Sequence, residues 1–496
     1  MRHHFVFTRL AAAATMAGMM ALAGSSLAAT PGYRETVPAA MQTLVPETAY
    51  AAALTRLEAA ASLLPESVRG RIAASPCGTS ISRLVSEVQT NPVTRNALQM
   101  ALDGMQDTPP SAKPQENIWK TSKTVDELLL QLVDYTLEWC VALPKINGNA
   151  DDGMKYIGPM YWFYYKNISG SYFSQGIDPA SPPNPLPHDL NFFKEFSVES
   201  GAFMDSAAST ANIKQWIDDP RIEIADYQKQ AVDQYPSWNA FFARQITMDA
   251  ASQTIPSRPA TMPLEQYPER DYIIVAPTDC IMNPLIQVLE TSAGPTRRYI
   301  ENPLQLNTVL DVKSIPISVD RLLGNTPAAL KARFVGATGL SCILMPNTYH
   351  HFHAPVNGTV RHAEVISGPT FGYQDWANLM PANHNPAQLG TDFSLFEVYQ
   401  RGVVIIEVTY KDADGTSSLT GYVASIPVGL DTIGSVVLDP AIVPGATIKR
   451  GYTRIGNFLY GGSMNLLLFS AGLANGTIQT RLGNQIGLFN VGTTPK

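Results

Sequence analysis

The stretch Ile455–Phe469, "IGNFLYGGSMNLLLF", decides how the C-terminal half of the chain folds. Gly461 and Gly462 can take backbone conformations closed to other residues and let another segment approach closely. They lead into Ser463, and the apolar run Met464 to Phe469 has the length of a buried strand. Ser463 is thereby placed at a tight lead-in to a sheet. Taken alone, the stretch is a glycine-rich turn before a core strand.

Working outward, β-branched runs bounded by Gly, Pro and Asp begin at about Asp271. They are "DYIIVAP", "ARFVGATGLSCILM", "GTVRHAEVIS", "FEVYQRGVVIIEVTYK", "TGYVASIPVG" and "GSVVL", which predict a mostly antiparallel, β-rich region. Before it the period is helical. "AYAAALTRLEAAASLL" and "TVDELLLQLVDYTLEWCVAL" carry apolar residues at helical spacing, and Thr124 with Glu127 has the form of a capping box. "SVESGAFMDSAAS", "NIKQWIDDP" and "YPSWNAFFARQI" continue the helical pattern to Ile246, punctuated by Pro220 and Pro236. The fold class is α+β, helices first and sheet second. "DTPPSAKP" and "DPASPPNPLP" read as surface linkers, and the second sets a boundary between residues 29–188 and 189–496. "MYWFYYKNISGSYF" is unusually aromatic and reads as packing.

Residues 1–28 read as an export signal: Arg2 and Arg9 flank the start, Leu10 to Ala23 is apolar and small, and Ser26-Leu27-Ala28 offers a cleavage site. Beyond it no apolar run approaches the roughly 18 residues needed to span a bilayer. The mature protein is expected to be exported, periplasmic or secreted, and either soluble or peripheral to a membrane. A composition 45% hydrophobic and 16% charged can bury a large core, in two domains or one large one. A net charge of −7, with no basic stripe, argues against a nucleic-acid partner. Of the four cysteines, Cys77 and Cys140 both lie in the helical part and can pair in an oxidising compartment; Cys280 and Cys342 read as buried thiols.

The chain resembles the phosphatidylserine decarboxylase family, which includes soluble relatives acting on aromatic amino acids. The resemblance rests on "SWNAFFAR" (Ser237 to Arg244), "SRP" (Ser257 to Pro259), "APTDC" (Ala276 to Cys280), "YHHFHAP" (Tyr349 to Pro355), "PVGLDTIGSV" (Pro427 to Val436) and "KRGYTRIGNFLYGGS" (Lys449 to Ser463). Their order and spacing agree from about residue 190 to about 470. The resemblance implies self-cleavage between Gly462 and Ser463, with Ser463 becoming an N-terminal pyruvoyl group, the cofactor, on a small chain 463–496. A serine hydroxyl attacks a carbonyl only when a base takes its proton and a third group orients that base. By family position His353 is the base and Asp279 the orienting carboxylate. The pyruvoyl carbonyl would then form a Schiff base with the substrate amine and accept electrons as carbon dioxide leaves. His350, the first histidine of the family's "YHxxH", would assist decarboxylation, and His353 could again carry the proton. His351 is expected to be structural.

Three departures bear on the substrate. Cys280 stands where the family usually has Gly, Met464 follows Ser463 where a small or hydroxylated residue is common, and the N-terminal half has no counterpart in the compact bacterial enzymes. The resemblance therefore leaves three readings in order: phosphatidylserine decarboxylase, soluble exported aromatic amino-acid decarboxylase, and non-enzymatic binding protein on the same fold. His350, His351 and His353 could be read as a metal cluster, but no acidic or cysteine partner has supporting spacing, so no metal is expected.

Overall fold

The structure, a computed structural model, describes residues 64–105, 117–146, single positions between 156 and 173, 192–258, 273–291, 294–299, 303–312, 315–344, 347–366, 400–411, 416–430, 436–459 and 462–474. The export signal, both linkers, the helix expected around residues 49–64 and the boundary at 188 lie outside the described residues.

Helices come first. α1 (Glu66–Ala74), α2 (Gly78–Thr90), α3 (Pro92–Gly104) and α4 (Val125–Cys140) pack around Ile81, Leu84, Leu98, Leu128, Leu132 and Trp119. The helix starts are written in sequence. The Asn91 side chain accepts from Val93 N while Pro92 opens α3, where no amide is needed. Thr124 accepts from Glu127 N at 3.2 Å, and the Glu127 carboxylate accepts from Lys123 N at 2.6 Å, a capping box displaced by one residue. Trp119 donates its indole N–H to Pro159 O and meets Tyr135 and Phe163 edge-on, so the aromatic stretch does contribute packing. Cys77 and Cys140 form a disulfide joining the start of α2 to the end of α4.

α5 (Phe192–Met204) belongs to two cores. Phe192, Phe193 and Phe196 sit among the N-terminal helices, while Met204 packs with Trp216, Trp238 and Phe352 of the next. The helical pattern expected after it is realised only as short pieces, α6 (Ile213–Ile217), α7 (Trp238–Phe242) and 3-10 turns. In α7, Ser237 caps the helix by accepting from Ala240 N.

The β-rich region comprises β1 (Ile281–Pro284), β2 (Ile286–Thr291), β3 (Gly294–Tyr299), β4 (Val309–Val312), β5 (Ile315–Ser318), α8 (Val319–Leu322), α9 (Ala328–Lys331), β6 (Thr338–Leu344), β7 (His351–His353), β8 (Gly358–Ile366), β9 (Arg401–Lys411), β10 (Ser418–Leu430), β11 (Val436–Leu438), β12 (Thr447–Ile448), β13 (Arg454–Phe458) and β14 (Gly462–Phe469). Among the described residues these strands form a seven-stranded sheet (β1-β6-β14-β10-β9-β8-β12), a three-stranded sheet (β11-β13-β7) and a four-stranded sheet (β3-β2-β4-β5). The pairings are antiparallel, as expected. β14 is flanked at both edges, by β6 and β10, and a core packs on each of its faces. Met464, Leu466 and Leu468 face a core with Leu310 and Ile317; Leu467 and Phe469 face the core that holds Phe352 and Phe458. Pro427 in β10 cannot donate to a ladder, and Gly402 on β9 supplies the space beside it: a Cβ there would meet Pro427 Cγ at 2.9 Å.

Two strand expectations are corrected. "DYIIVAP" is not a strand over its described residues 273–277. It runs extended beside the histidine segment, with Val275 N donating to Pro355 O and Pro277 O accepting from His353 N. The start of "ARFVGATGLSCILM" is a 3-10 turn (Ala332–Phe334), and the strand begins only at Thr338. The four-stranded sheet carries no expectation from sequence, because Pro295, Arg297 and Arg298 in β3 and Pro316 in β5 break the alternation.

The disulfide closes a loop with a sequence separation of 63, for which chain-entropy arguments give about 4 kcal/mol. Replacing both Cys77 and Cys140 by Ser is expected to lower the unfolding free energy by roughly 2–4 kcal/mol in denaturant titrations. Of the two free cysteines only Cys342 is buried, and it should react with a thiol reagent only after unfolding in both proteins; Cys280, expected to be buried, is partly exposed and should react sooner.

Candidate active site

The histidine segment is held by its backbone and by α7. Arg244, fully buried after α7, donates to Asn347 O (3.0 Å) and Thr348 O (3.2 Å) and lies over the rings of Tyr227 and Phe241. His351 donates Nε2–H to Ala243 O at 2.9 Å, which makes it an anchor between β7 and the end of α7. The "SWNAFFAR" segment is thus the clamp on the histidines.

His350 is buried with its ring 3.8 Å, centre to centre, from that of Phe242. Its Nδ1 lies 2.8 Å from Thr348 O, and a carbonyl oxygen only accepts, so Nδ1 carries the proton. Nε2 is consequently a proton acceptor, and it has no hydrogen-bond partner. Burial, reinforced by the positive charge of Arg244, holds His350 well below the ordinary histidine range.

His353 shares one side of β7 with His351, following the two-residue alternation. Its Nδ1 is 3.2 Å from Tyr452 O, which fixes the proton there, and its Nε2 accepts from the Tyr349 hydroxyl at 2.8 Å. Burial pushes its pKa down to about 4, with Arg454 adding to the shift and the backbone contact at Tyr452 opposing it. His351 is pushed to about 3, again chiefly by burial. All three imidazoles are neutral at pH 7.

Asp279 does not hydrogen-bond to His353. Its carboxylate is held by Arg258 in a two-point pair (Nε to Oδ1 2.9 Å, NH2 to Oδ2 2.6 Å), and Arg258 also donates to Asp226 at 2.6 Å. The expected orienting role through a direct bond is therefore not the arrangement found. The Asp279 charge favours the protonated form of His353, but it is the smallest of the influences on that ring, behind burial, the Tyr452 carbonyl, Arg454 and the Gly451 backbone. Cys280 beside it is a free thiol hydrogen-bonded to the Cys342 thiol; that bond and burial raise its pKa well above the ordinary value.

Ser463 is the second residue of β14, buried, between Leu344 on β6 and Gly429 on β10. It lies inside a doubly paired strand, deeper than the turn lead-in expected from sequence. Its Oγ has no hydrogen-bond partner. Two connections bring the histidines to this end of the sheet. β6 ends at Leu344, opposite Ser463, and the chain continues into the histidine segment. β13 ends at Phe458, whose N–H donates to His350 O, and the chain continues into β14. Gln400 adds a third tie: its backbone O accepts from Gly429 N and its side chain accepts from Val436 N, opposite Phe458.

Sequence reasoning named Asp279, His350, His353 and Ser463 but missed Tyr349, Arg244 and Arg258, although all three stand in quoted motifs. The signal was present in "YHHFH", "FFAR" and "SRP": an aromatic hydroxyl or guanidinium in each. Among the described residues, no group of three His, Cys, Asp or Glu side chains is placed to hold a metal ion.

The family model described as phosphatidylserine decarboxylase matches residues 238–488, just over half of the chain. A phosphatidylserine decarboxylase proenzyme of Clostridium perfringens is 27% identical over 317 residues, covering 64% of this chain and 83% of that protein. One of Alcanivorax borkumensis is 25% identical over 276 residues, covering 53% and 78%. Phosphatidylserine decarboxylase proenzyme 2 of Komagataella phaffii is 24% identical over 277 residues, covering 56% of this chain but 22% of its own length. With the matched residues running from α7 through Ser463 and including Arg244, Arg258, Asp279 and the histidine segment, the chain belongs to the phosphatidylserine decarboxylase family and is a pyruvoyl-dependent carboxy-lyase.

Proposed function

We propose that this chain is a proenzyme that cuts itself between Gly462 and Ser463 and then decarboxylates phosphatidylserine to phosphatidylethanolamine. The observation that carries the proposal is the Ser463 hydroxyl, buried, without a partner, and carried by the residue whose own peptide nitrogen belongs to the bond that must break. A buried hydroxyl left unpaired costs about 1–3 kcal/mol, a cost expected where the group has chemistry to perform. Oγ forms an ester with the Gly462 carbonyl carbon as the Gly462–Ser463 C–N bond breaks. His353 takes the Oγ proton, its Nε2 being the unprotonated nitrogen, and a proton is returned to the Ser463 nitrogen as it leaves the carbonyl; loss of the ester oxygen together with the Ser463 α-proton then separates the chains.

The orphaned hydroxyl at residue 463 fits a serine that is converted to the pyruvoyl group. When formed, that group supplies an electron-accepting carbonyl for loss of carbon dioxide. The chain's own residues do the rest. His350 offers a neutral, buried Nε2 free to accept a proton, and His353 is the second group able to hold and return one. Exclusion of water strengthens each of these contacts.

Phosphatidylserine is favoured over a free amino acid because the relatives reported above are named for it. Among the described residues no helix is long and apolar enough to cross a membrane, so the lipid would be met by peripheral contact. The leader pattern at residues 1–28 supports export to a periplasmic or extracellular location. Assay on phosphatidylserine vesicles against free aromatic amino acids separates the two substrates, and turnover of the amino acids alone would overturn the choice made here.

Three outcomes follow. Intact-mass measurement should find a small chain running from position 463 to Lys496, and Ser463→Ala should remain one chain. His353→Ala should reduce self-cleavage by about 10²-fold or more and Asp279→Asn by less, whereas His350→Ala should cleave normally yet decarboxylate about 10²-fold more slowly. Hydroxylamine or phenylhydrazine should abolish activity that neither added pyridoxal phosphate nor a chelator alters, and the reverse pattern would require a different cofactor.

A further inference from the structure

Both ends of the motif Pro427 to Val436 meet at one residue outside it. Pro427 has no N–H to give a ladder. The pairing of β10 with β9 stops at Ser425 opposite Val404 and resumes only at Val428 opposite Arg401. Beyond that break lie Gly429 and Leu430, the residues paired with Ser463 and Gly462. The stretch of β10 that backs the scissile bond is thus cut off from most of the β9 ladder. There the carbonyl of Gln400, the residue before β9, accepts from Gly429 N at 3.0 Å.

The Gln400 side chain reaches the other way. Its Oε1 accepts from Val436 N at 2.9 Å, a buried bond to the first residue of β11. β11 pairs with β13 at Val436 opposite Phe458, and Phe458 N donates to His350 O at 2.9 Å. β13 pairs in turn with β7, with Arg454 opposite His353. One buried residue therefore ties the strand beside Ser463, in the seven-stranded sheet, to the three-stranded sheet that carries His351 and His353. Every link in this path is a hydrogen bond or a strand pair.

We propose that Gln400 is a positioning residue for self-cleavage, its side chain fixing how the histidine sheet stands against the strand that backs Gly462 and Ser463. The proposal rests on the reading that the chain cuts itself at this bond with His353 as base. Gln400 acts through Gly429 and Val436, not on the reacting atoms. An attacking hydroxyl and a base on different sheets must be held in register, and a misplacement of about 1 Å can cost about 10²-fold in rate. Glutamine suits the place because its amide oxygen accepts from a buried N–H without bringing in a charge. Its length matters too: asparagine, one methylene shorter, leaves that oxygen short of Val436.

The test is the rate at which precursor becomes two chains in full-length protein made by cell-free synthesis. Gln400→Leu, Gln400→Asn and Gln400→Glu are followed with His353→Ala alongside. Folding is checked by near-ultraviolet circular dichroism and thermal midpoint for each substitution placed in the uncleavable Ser463→Ala chain. Leucine removes the acceptor, asparagine keeps the amide but falls short, and glutamate returns an oxygen at full length. The expected result is a fall of roughly 30- to 100-fold for Gln400→Leu and Gln400→Asn, with the folded spectrum kept, and recovery to within about fivefold of wild type for Gln400→Glu. A merely structural glutamine would give rates that follow the thermal midpoint, not the presence of the oxygen. Wild-type cleavage in Gln400→Leu or Gln400→Asn would overturn the proposal, as would a Gln400→Glu chain as slow as Gln400→Leu. If Gln400→Leu does not fold, Gln400→Asn decides; loss of the folded spectrum in both assigns Gln400 to the fold and overturns the proposal too. A wild-type chain that stays uncut would instead overturn self-cleavage itself, and wild-type cleavage in His353→Ala the assignment of the base.

Discussion

The two-sided pairing of β14 is the constraint on which the site depends. A strand hydrogen-bonded to β6 and β10 has its backbone satisfied and its faces covered, so the second residue of that strand is dry. In water a serine hydroxyl is occupied by solvent. At position 463 it is removed from solvent and given no protein partner in exchange. The same pairing sets register: a shift of one residue would turn Ser463 from the face it shares with Leu467 to that of Met464, Leu466 and Leu468. The apolar run after Ser463 therefore fixes which way its hydroxyl points.

The histidine segment solves a complementary problem, keeping three imidazoles neutral and oriented in a buried place. Burial alone disfavours their charged forms, and Arg244 adds to this for His350 and His351 as it clamps the loop through Asn347 and Thr348. Each ring is then given one carbonyl to donate to: Thr348 for His350, Ala243 for His351, Tyr452 for His353. Those three bonds choose the tautomers, leaving Nε2 as the acceptor in His350 and His353 but Nδ1 in His351. The difference separates His351, tied to the end of α7, from the two histidines proposed to carry protons.

How much of this was legible in sequence differs by element. The order of helices then antiparallel strands followed from periodicity, and β9, β10 and β14 are long enough for their patterns to be plain. "DYIIVAP" failed because an apolar run ending in proline can be buried as an extended cradle without joining a sheet; what decides it is the neighbour, Pro355 and His353, not the run. The short pieces from residue 213 to 242 failed for the same reason: tertiary packing of Trp216, Trp238 and Phe241 fixes them more than helical propensity does. The site residues were legible only through resemblance, since Asp279, His353 and Ser463 lie on three segments joined by folding. Tyr349 was not singled out because a tyrosine before a histidine pair carries no spacing signal. Its hydrogen bond to His353 Nε2 is a product of the fold.

Arg258 explains why Asp279 is kept at a distance. A carboxylate bonded directly to His353 would orient the ring and stabilise its charged form, as in a serine–histidine–aspartate triad. Held instead by Arg258, and with Asp226 sharing the same guanidinium, the carboxylate has its charge largely balanced until a positive charge appears nearby. Its field remains directed at the place where the imidazolium will form, without a hydrogen bond that would commit the proton early. The carboxylate is therefore bound to an arginine rather than to the histidine it was expected to orient, and the carbonyl of Tyr452 is what fixes the His353 tautomer.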